Sequence, residues 1–169
     1  MQCKWEPIAR DAARDNGIDE WVFVALIRRE SGFNPEVPGG IAQIDMRWHD
    51  VDAGNPAASL SYAAHLLRSY LDDFGRYDLA LAAYNVGGSL VRSIRAVPHN
   101  GRTEWYVMNI LSDAVTARMD DMRAMCVPLR DTVDTVSSVG VAPDVVPPVD
   151  VDQVDAGLMM TLLMAALDR

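Results

Sequence analysis

One carboxylate stands where a helix would be expected to bury a leucine. In the segment leading up to Glu30, Val22, Leu26 and Glu30 fall at i, i+4 and i+8, with Phe23 and Ile27 beside them. That period places Glu30 on the apolar stripe of a predicted helix, at its last turn. Burying a carboxylate without a partner is costly. It is also the setting an acid catalyst needs, because desolvation raises the pKa and keeps a proton available near neutral pH. Pairing with Arg28, Arg29 or a distant arginine at the core edge would account for the same position, and this segment alone leaves both readings open.

Other residues carry usable chemistry. Gln43, in Gly40-Ile-Ala-Gln-Ile44, can donate and accept hydrogen bonds, which suits an acetamido group or a sugar hydroxyl, or else ties its own loop to backbone. Tyr84 and Asn85 end an apolar run at a polar break, where they face a cleft or cap the helix. Tyr106 lies on a helix face. Ser31 satisfies backbone at the end of the Glu30 helix and adjoins the candidate substrate side. Trp48 and Trp105 offer flat faces for sugar rings or for packing. His49, His65 and His99 are scattered and no H-E-x-x-H occurs, so no zinc site is expected.

The elements that must position these residues are helices. Pro7 to Asp15 reads as a first helix ended by Asn16-Gly17, and Asp19 caps the helix that carries Glu30. Pro35, Pro38, Gly39 and Gly40 break residues 33–52 into a loop. Asn55-Pro56 opens a helix to Phe74, with Leu60, Ala63, Ala64, Leu67, Tyr70 and Leu71 on one face. Asp78 is expected to cap a central helix from Leu79. Asn85-Val-Gly-Gly88 interrupts it, and helix resumes from Ser89 to Ala96. Thr103 is expected to cap a long helix to Met125, with Tyr106, Ile110, Ala114 and Ala117 along one side. Nothing alternates as a strand would, so the class is all-α.

The chain has 169 residues, half of them hydrophobic, enough for one core and too few for two full domains. Its net charge is -9 and its pI about 4.6, with no basic stripe, which disfavours nucleic acid as a partner. Much of the excess is local: residues 131–155 hold six Asp and no Lys or Arg. Three parts are expected: a catalytic domain over 1–127, an extended Val/Asp/Pro-rich linker over 128–154, and a short apolar helix over 155–169. That helix is too short to span a bilayer; it either folds back or docks, its methionines suiting an adaptable partner groove. Cys3 and Cys126 read as free thiols sooner than as a disulfide.

Four pieces in order now matter together: Glu30-Ser-Gly-Phe-Asn-Pro35, Gly40-Ile-Ala-Gln-Ile44, Ala82-Ala-Tyr-Asn-Val-Gly87 and Thr103-Glu-Trp-Tyr-Val107. With Asn55-Pro56 and Tyr62 to Leu67 between them, they resemble the catalytic domain of soluble lytic transglycosylases, relatives of goose-type lysozyme in the lysozyme-like superfamily, over roughly residues 5 to 125. The resemblance implies cleavage of the β-1,4 bond between N-acetylmuramic acid and N-acetylglucosamine in peptidoglycan, with a 1,6-anhydromuramoyl product and no cofactor. It implies Glu30 as the catalytic acid and base, Tyr106 reaching it through its hydroxyl, and Gln43, Tyr84, Asn85 and Ser31 on the substrate side. The chain departs from that pattern in three places. The loop Pro38-Gly-Gly-Ile-Ala-Gln43 is shortened and lacks the family's serine, Ala42 replaces a methionine, and Arg102-Thr103 replaces Glu-Thr.

A two-carboxylate glycosidase would draw its second acid from Glu36, Asp45, Asp50 or Asp52. A hydrolytic muramidase, a free endolysin and an inactive virion or wall-binding module are the alternatives to the transglycosylase. The N-terminus has no apolar signal region and no stretch is long enough for a transmembrane helix. The expectation is therefore an enzyme carried in a phage virion and delivered to the host wall or periplasm. Its apolar C-terminal helix would dock to a phage tail or internal virion protein, and a glycan strand of peptidoglycan would be its substrate.

Overall fold

Caps and apolar periods set the helices where expected, with two exceptions at helix starts. The structure is a computed structural model that describes residues 4–49, 51–52 and 54–126. Six helices account for its regular structure, and no strand occurs among the described residues. The chain divides into two compact units, residues 1–115 and 116–169. The expected linker and apolar helix over 128–169, and the side chains of Cys3 and Cys126, lie outside the described residues.

Helix α1 (Glu6–Asp15) turns Ala9, Ala12 and Ala13 inward, and these small side chains let α2 and α3 approach closely. Helix α2 (Glu20–Ser31) is capped by Asp19, whose carboxylate accepts from the Trp21 and Val22 N–H groups. Val22 to Ile27 are buried on every side, so α2 is the central rod of the first unit. It stops at Gly32, which takes the left-handed conformation (φ 62°) and returns its N–H to the Arg28 carbonyl. The arginines of this region are spent on α1 and α2 themselves. Arg28 and Arg10 reach Glu6, Arg10 and Arg14 reach Glu20, and Arg10 stacks 4.0 Å over the Trp21 ring.

Helix α3 (Pro56–Phe74) is capped by Asn55 and buries Leu60, Ala63, Ala64, Leu67 and Leu71. Helix α4 (Tyr77–Val86) packs on it and buries Ala80 to Ala83. Asp78 is not its cap. The helix starts before it, and Asp78 sits buried in the first turn, accepting from Arg76 and from the Leu79 N–H. The earlier start coincides with a tertiary bond, the Tyr77 hydroxyl accepting the Asp19 N–H at 2.6 Å. Gly87 breaks the path and α5 (Gly88–Ile94) follows. Helix α6 (Arg102–Cys126) is likewise not capped by Thr103. Asn100 Oδ1 accepts from the Arg102 and Thr103 N–H groups, while Thr103 is fully buried.

Candidate functional site

Glu30 occupies the last turn of α2, where the buried stripe reaches the edge of the core. Its carboxyl is partly buried and that burial raises its pKa above the ordinary 4.5. A hydrogen bond donated by the Tyr106 hydroxyl to Oε1, and the positive charge of Arg29, act in the opposite direction and do not cancel it. Arg28 is turned away toward Glu6. Pairing with an arginine is not what the described residues show for this carboxyl: its hydrogen bond comes from a phenol, and burial favours its protonated form.

Tyr106 arrives from the buried face of α6, beside Val107 and Ile110. Its own pKa is driven well up, by burial first and then by the neighbouring Glu30 charge, so it remains a donor at any physiological pH. Tyr84 comes from the last turns of α4. Its hydroxyl donates to the Ala42 carbonyl at 2.8 Å, and its pKa too is driven well up by burial and by the Glu30 charge. The carboxylate thus has phenols on two helices in its field.

The loop after α2 is fastened twice. Ser31 donates to the Ile41 carbonyl at 2.6 Å, and Tyr84 takes the next carbonyl along. Ile41 and Ala42 are buried as a result. Gln43 follows in the left-handed region (φ 52°), a conformation that costs a non-glycine residue energy and is held by its surroundings. Its Nε2 donates to the Pro38 and Gly40 carbonyls, both at 2.8 Å, so the amide nitrogen braces the loop and Oε1 is the end those bonds leave unused. Ser31 is likewise occupied as a fastener.

Beyond the loop lies a cavity of about 350 Å³ lined by Gln43, Asp45, Trp48, Tyr70, Tyr84 and Asn85, among others. Trp48 is 79 % exposed, so it contributes no core packing and presents its ring to solvent at the rim. Trp105 is 60 % exposed and does not line this cavity. Asn85 accepts from the buried Thr103 hydroxyl at 3.2 Å, which orients its amide. Asp45 is half-exposed and held at about 2 by the Arg47 guanidinium and N–H, so it is a standing anion. Glu36 is exposed, Asp52 accepts from the Gly54 N–H, and Asp50 lies outside the described residues.

Sequence reasoning missed four contributors. Thr103 was read as a cap and orients Asn85. His49 lines the cavity, with its Nδ1 2.8 Å from the Tyr62 hydroxyl, and Leu66 and Tyr70 line it from α3. The signal was present: Tyr62, Leu66, Tyr70 and Phe74 recur every four residues along one side of α3. Among the described residues no three His, Cys, Asp or Glu side chains are placed to hold a metal, and no helix is long and apolar enough to cross a membrane.

The family model described as "Transglycosylase SLT domain" matches residues 7–105. The chain belongs to that family, in which the helical, lysozyme-like domain cleaves glycosidic bonds of peptidoglycan. No solved structure matches the chain. The family match ends one residue before Tyr106, and the hydrogen bond from its hydroxyl to Glu30 is the contact that the resemblance of the four motifs implied.

Proposed function

We propose that this SLT-domain protein is a lytic transglycosylase that cuts the β-1,4 bond between N-acetylmuramic acid and N-acetylglucosamine with Glu30 as its single acid and base. The observation that carries this reading is the buried Glu30 carboxyl with its raised pKa, bonded to a phenol and to no arginine. Glu30 gives its proton to the glycosidic oxygen as the C1–O bond breaks. The substrate's own 2-acetamido group stabilises the positive charge at C1. The Glu30 carboxylate then takes the proton of the C6 hydroxyl while O6 bonds to C1, closing a 1,6-anhydro ring with no water consumed. The Tyr106 hydroxyl, already donating to Oε1, stabilises the transient carboxylate. Gln43 Oε1, Asn85 and the Trp48 ring receive the sugars along the cavity.

The alternative outcome, hydrolysis, has one observation in its favour: Asp45 is ionised and lines the same cavity. Its bidentate engagement by Arg47 speaks against a free base. Mass spectrometry of muropeptides released from purified peptidoglycan tests the proposal, with Glu30→Gln as control. Anhydromuramoyl ends from the wild type alone are expected. Reducing ends lost in the variant would establish a muramidase, and no release by either would leave a structural or wall-binding module.

For the setting we propose local wall opening by a phage particle. This rests on the sequence, in which an apolar run at 155–167 follows a proline-rich stretch suited to reaching a virion protein. Proteomics of purified particles that lacked the protein would refute that setting.

A further inference from the structure

A second cavity, of about 310 Å³, opens beside the first and is lined by Asp73, Phe74, Leu79, Arg92 and Arg95. Neighbouring rings on α3 link the two. Tyr70 lines the first cavity and its ring centroid is 6.4 Å from that of Phe74, which lines the second. Tyr70 and Arg92 also lie against the same point of Gly88: a Cβ there would sit 2.7 Å from Tyr70 Cε1 and 3.2 Å from Arg92 Nη1. Only glycine lets the two meet.

The second cavity is chemically unlike the first. Arg92 spends Nε and Nη2 on a single oxygen of Asp73, at 3.1 and 2.6 Å, which leaves Nη1. Arg95 ends α5 in the left-handed region (φ 50°), and no described residue pairs with its guanidinium. Two guanidinium groups beside Phe74 and Leu79 suit a carboxylate carried on a small apolar group. In a chain of net charge -9, this is a local reversal of sign.

We propose that this cavity binds a carboxylate of the peptide stem attached to the glycan strand. The inference rests on the reading of the first cavity as the sugar site. On a stem-bearing strand the lactyl carboxyl of N-acetylmuramic acid is tied up in the amide to the stem, so the sugars carry no charge to answer Arg95 and the free edge of Arg92. The stem branches from the sugar and carries free carboxylates and alanine methyl groups, and the contact of Tyr70 with Phe74 puts its pocket next to the sugar cavity. Arg95 is then a specificity-determining residue.

The test is equilibrium binding of the free peptide L-Ala-γ-D-Glu-meso-diaminopimelate to the full chain. Binding by the wild type is expected, weakened roughly tenfold in Arg95→Gln and by a similar factor when the peptide's carboxyls are amidated. Arg14→Gln, altered at a remote ion pair, binds as the wild type does. Because Arg95 has no described partner to lose, circular dichroism of Arg95→Gln is expected to match the wild type, and Arg92→Gln provides a second variant. Equal binding by the wild type and both variants, or none by the wild type at millimolar peptide, overturns the proposal. Competition by inorganic phosphate as effective as the peptide's own also overturns it. Muropeptide release is scored separately, so loss of the stem site and loss of the cleavage reading are distinguished.

Discussion

Glu30, where a loop begins, and Asp45, upon it, show two opposite fates for a carboxyl group. At the end of α2 the carboxyl is desolvated, with a phenol for a partner, and its pKa rises. On the loop the carboxyl is half-exposed, clasped by Arg47, and held at about 2. Burial favours the protonated form of the first, and Arg47 holds the second as an anion. The protonation preference of a carboxyl here therefore follows burial and the absence of a clasping cation, so the two groups are suited to different roles.

The contrast can be broken most decisively at its buried end. Glu30→Gln is expected to lower the rate of glycan cleavage by roughly a thousandfold with the helical circular dichroism spectrum unchanged. Retained activity in that variant would move the acid to the loop. Tyr106→Phe removes the bond that pulls the Glu30 pKa down, so the alkaline limb of the pH–rate profile should move to higher pH, with kcat reduced by roughly tenfold. A limb moving to lower pH would mean that Tyr106 does not act on Glu30.

The loop side predicts smaller effects. Trp48→Ala should raise KM for glycan strands by roughly fivefold and leave kcat and melting temperature unchanged, because the ring is exposed. Stability sharpens the contrast further. The raised pKa of Glu30 means that the native state favours its protonated form. That contribution is complete below the unfolded value of 4.5 and is lost as pH rises through the folded one. Glu30→Gln should therefore melt a few degrees higher than the wild type at about pH 7.5 and show no such gain at about pH 4, in scans of both proteins. Asp45→Asn should do least, leaving the pH–rate limbs in place, since Asp45 is already ionised across the working range. A lost limb in that variant would favour hydrolysis.

The helices were legible because their signals are local. Asp19, Asn55 and Gly32 act on their own turns, and the stripe from Val22 to Glu30 has a single period. Asp78 and Thr103 misled for the reason that the others did not. A short polar side chain near a helix start reads as a cap, but each was recruited by something distant in sequence or outside the pattern, Asp78 by Arg76 and Thr103 by Asn85. Glu30 could be singled out from its own stripe, whereas its partner Tyr106, 76 residues away, was reached only through the order of the four motifs. Gln43 was legible as a residue type and not as a direction. Its left-handed backbone points the amide nitrogen into its own loop, which no spacing rule reports.

Ser31 and Tyr84 hold the loop by the main-chain carbonyls of Ile41 and Ala42, and a carbonyl is the same in every amino acid. The clamp is therefore blind to the identity of the segment that it grips. Neither bond reads a side chain of residues 34–37, so the clamp places no demand on their identity, while Gly39 is fixed by its left-handed backbone and by Gln43 beside it. The molecule carries a socket that grips backbone and not sequence, and the segment ahead of it is open to replacement while Glu30 stays where it is.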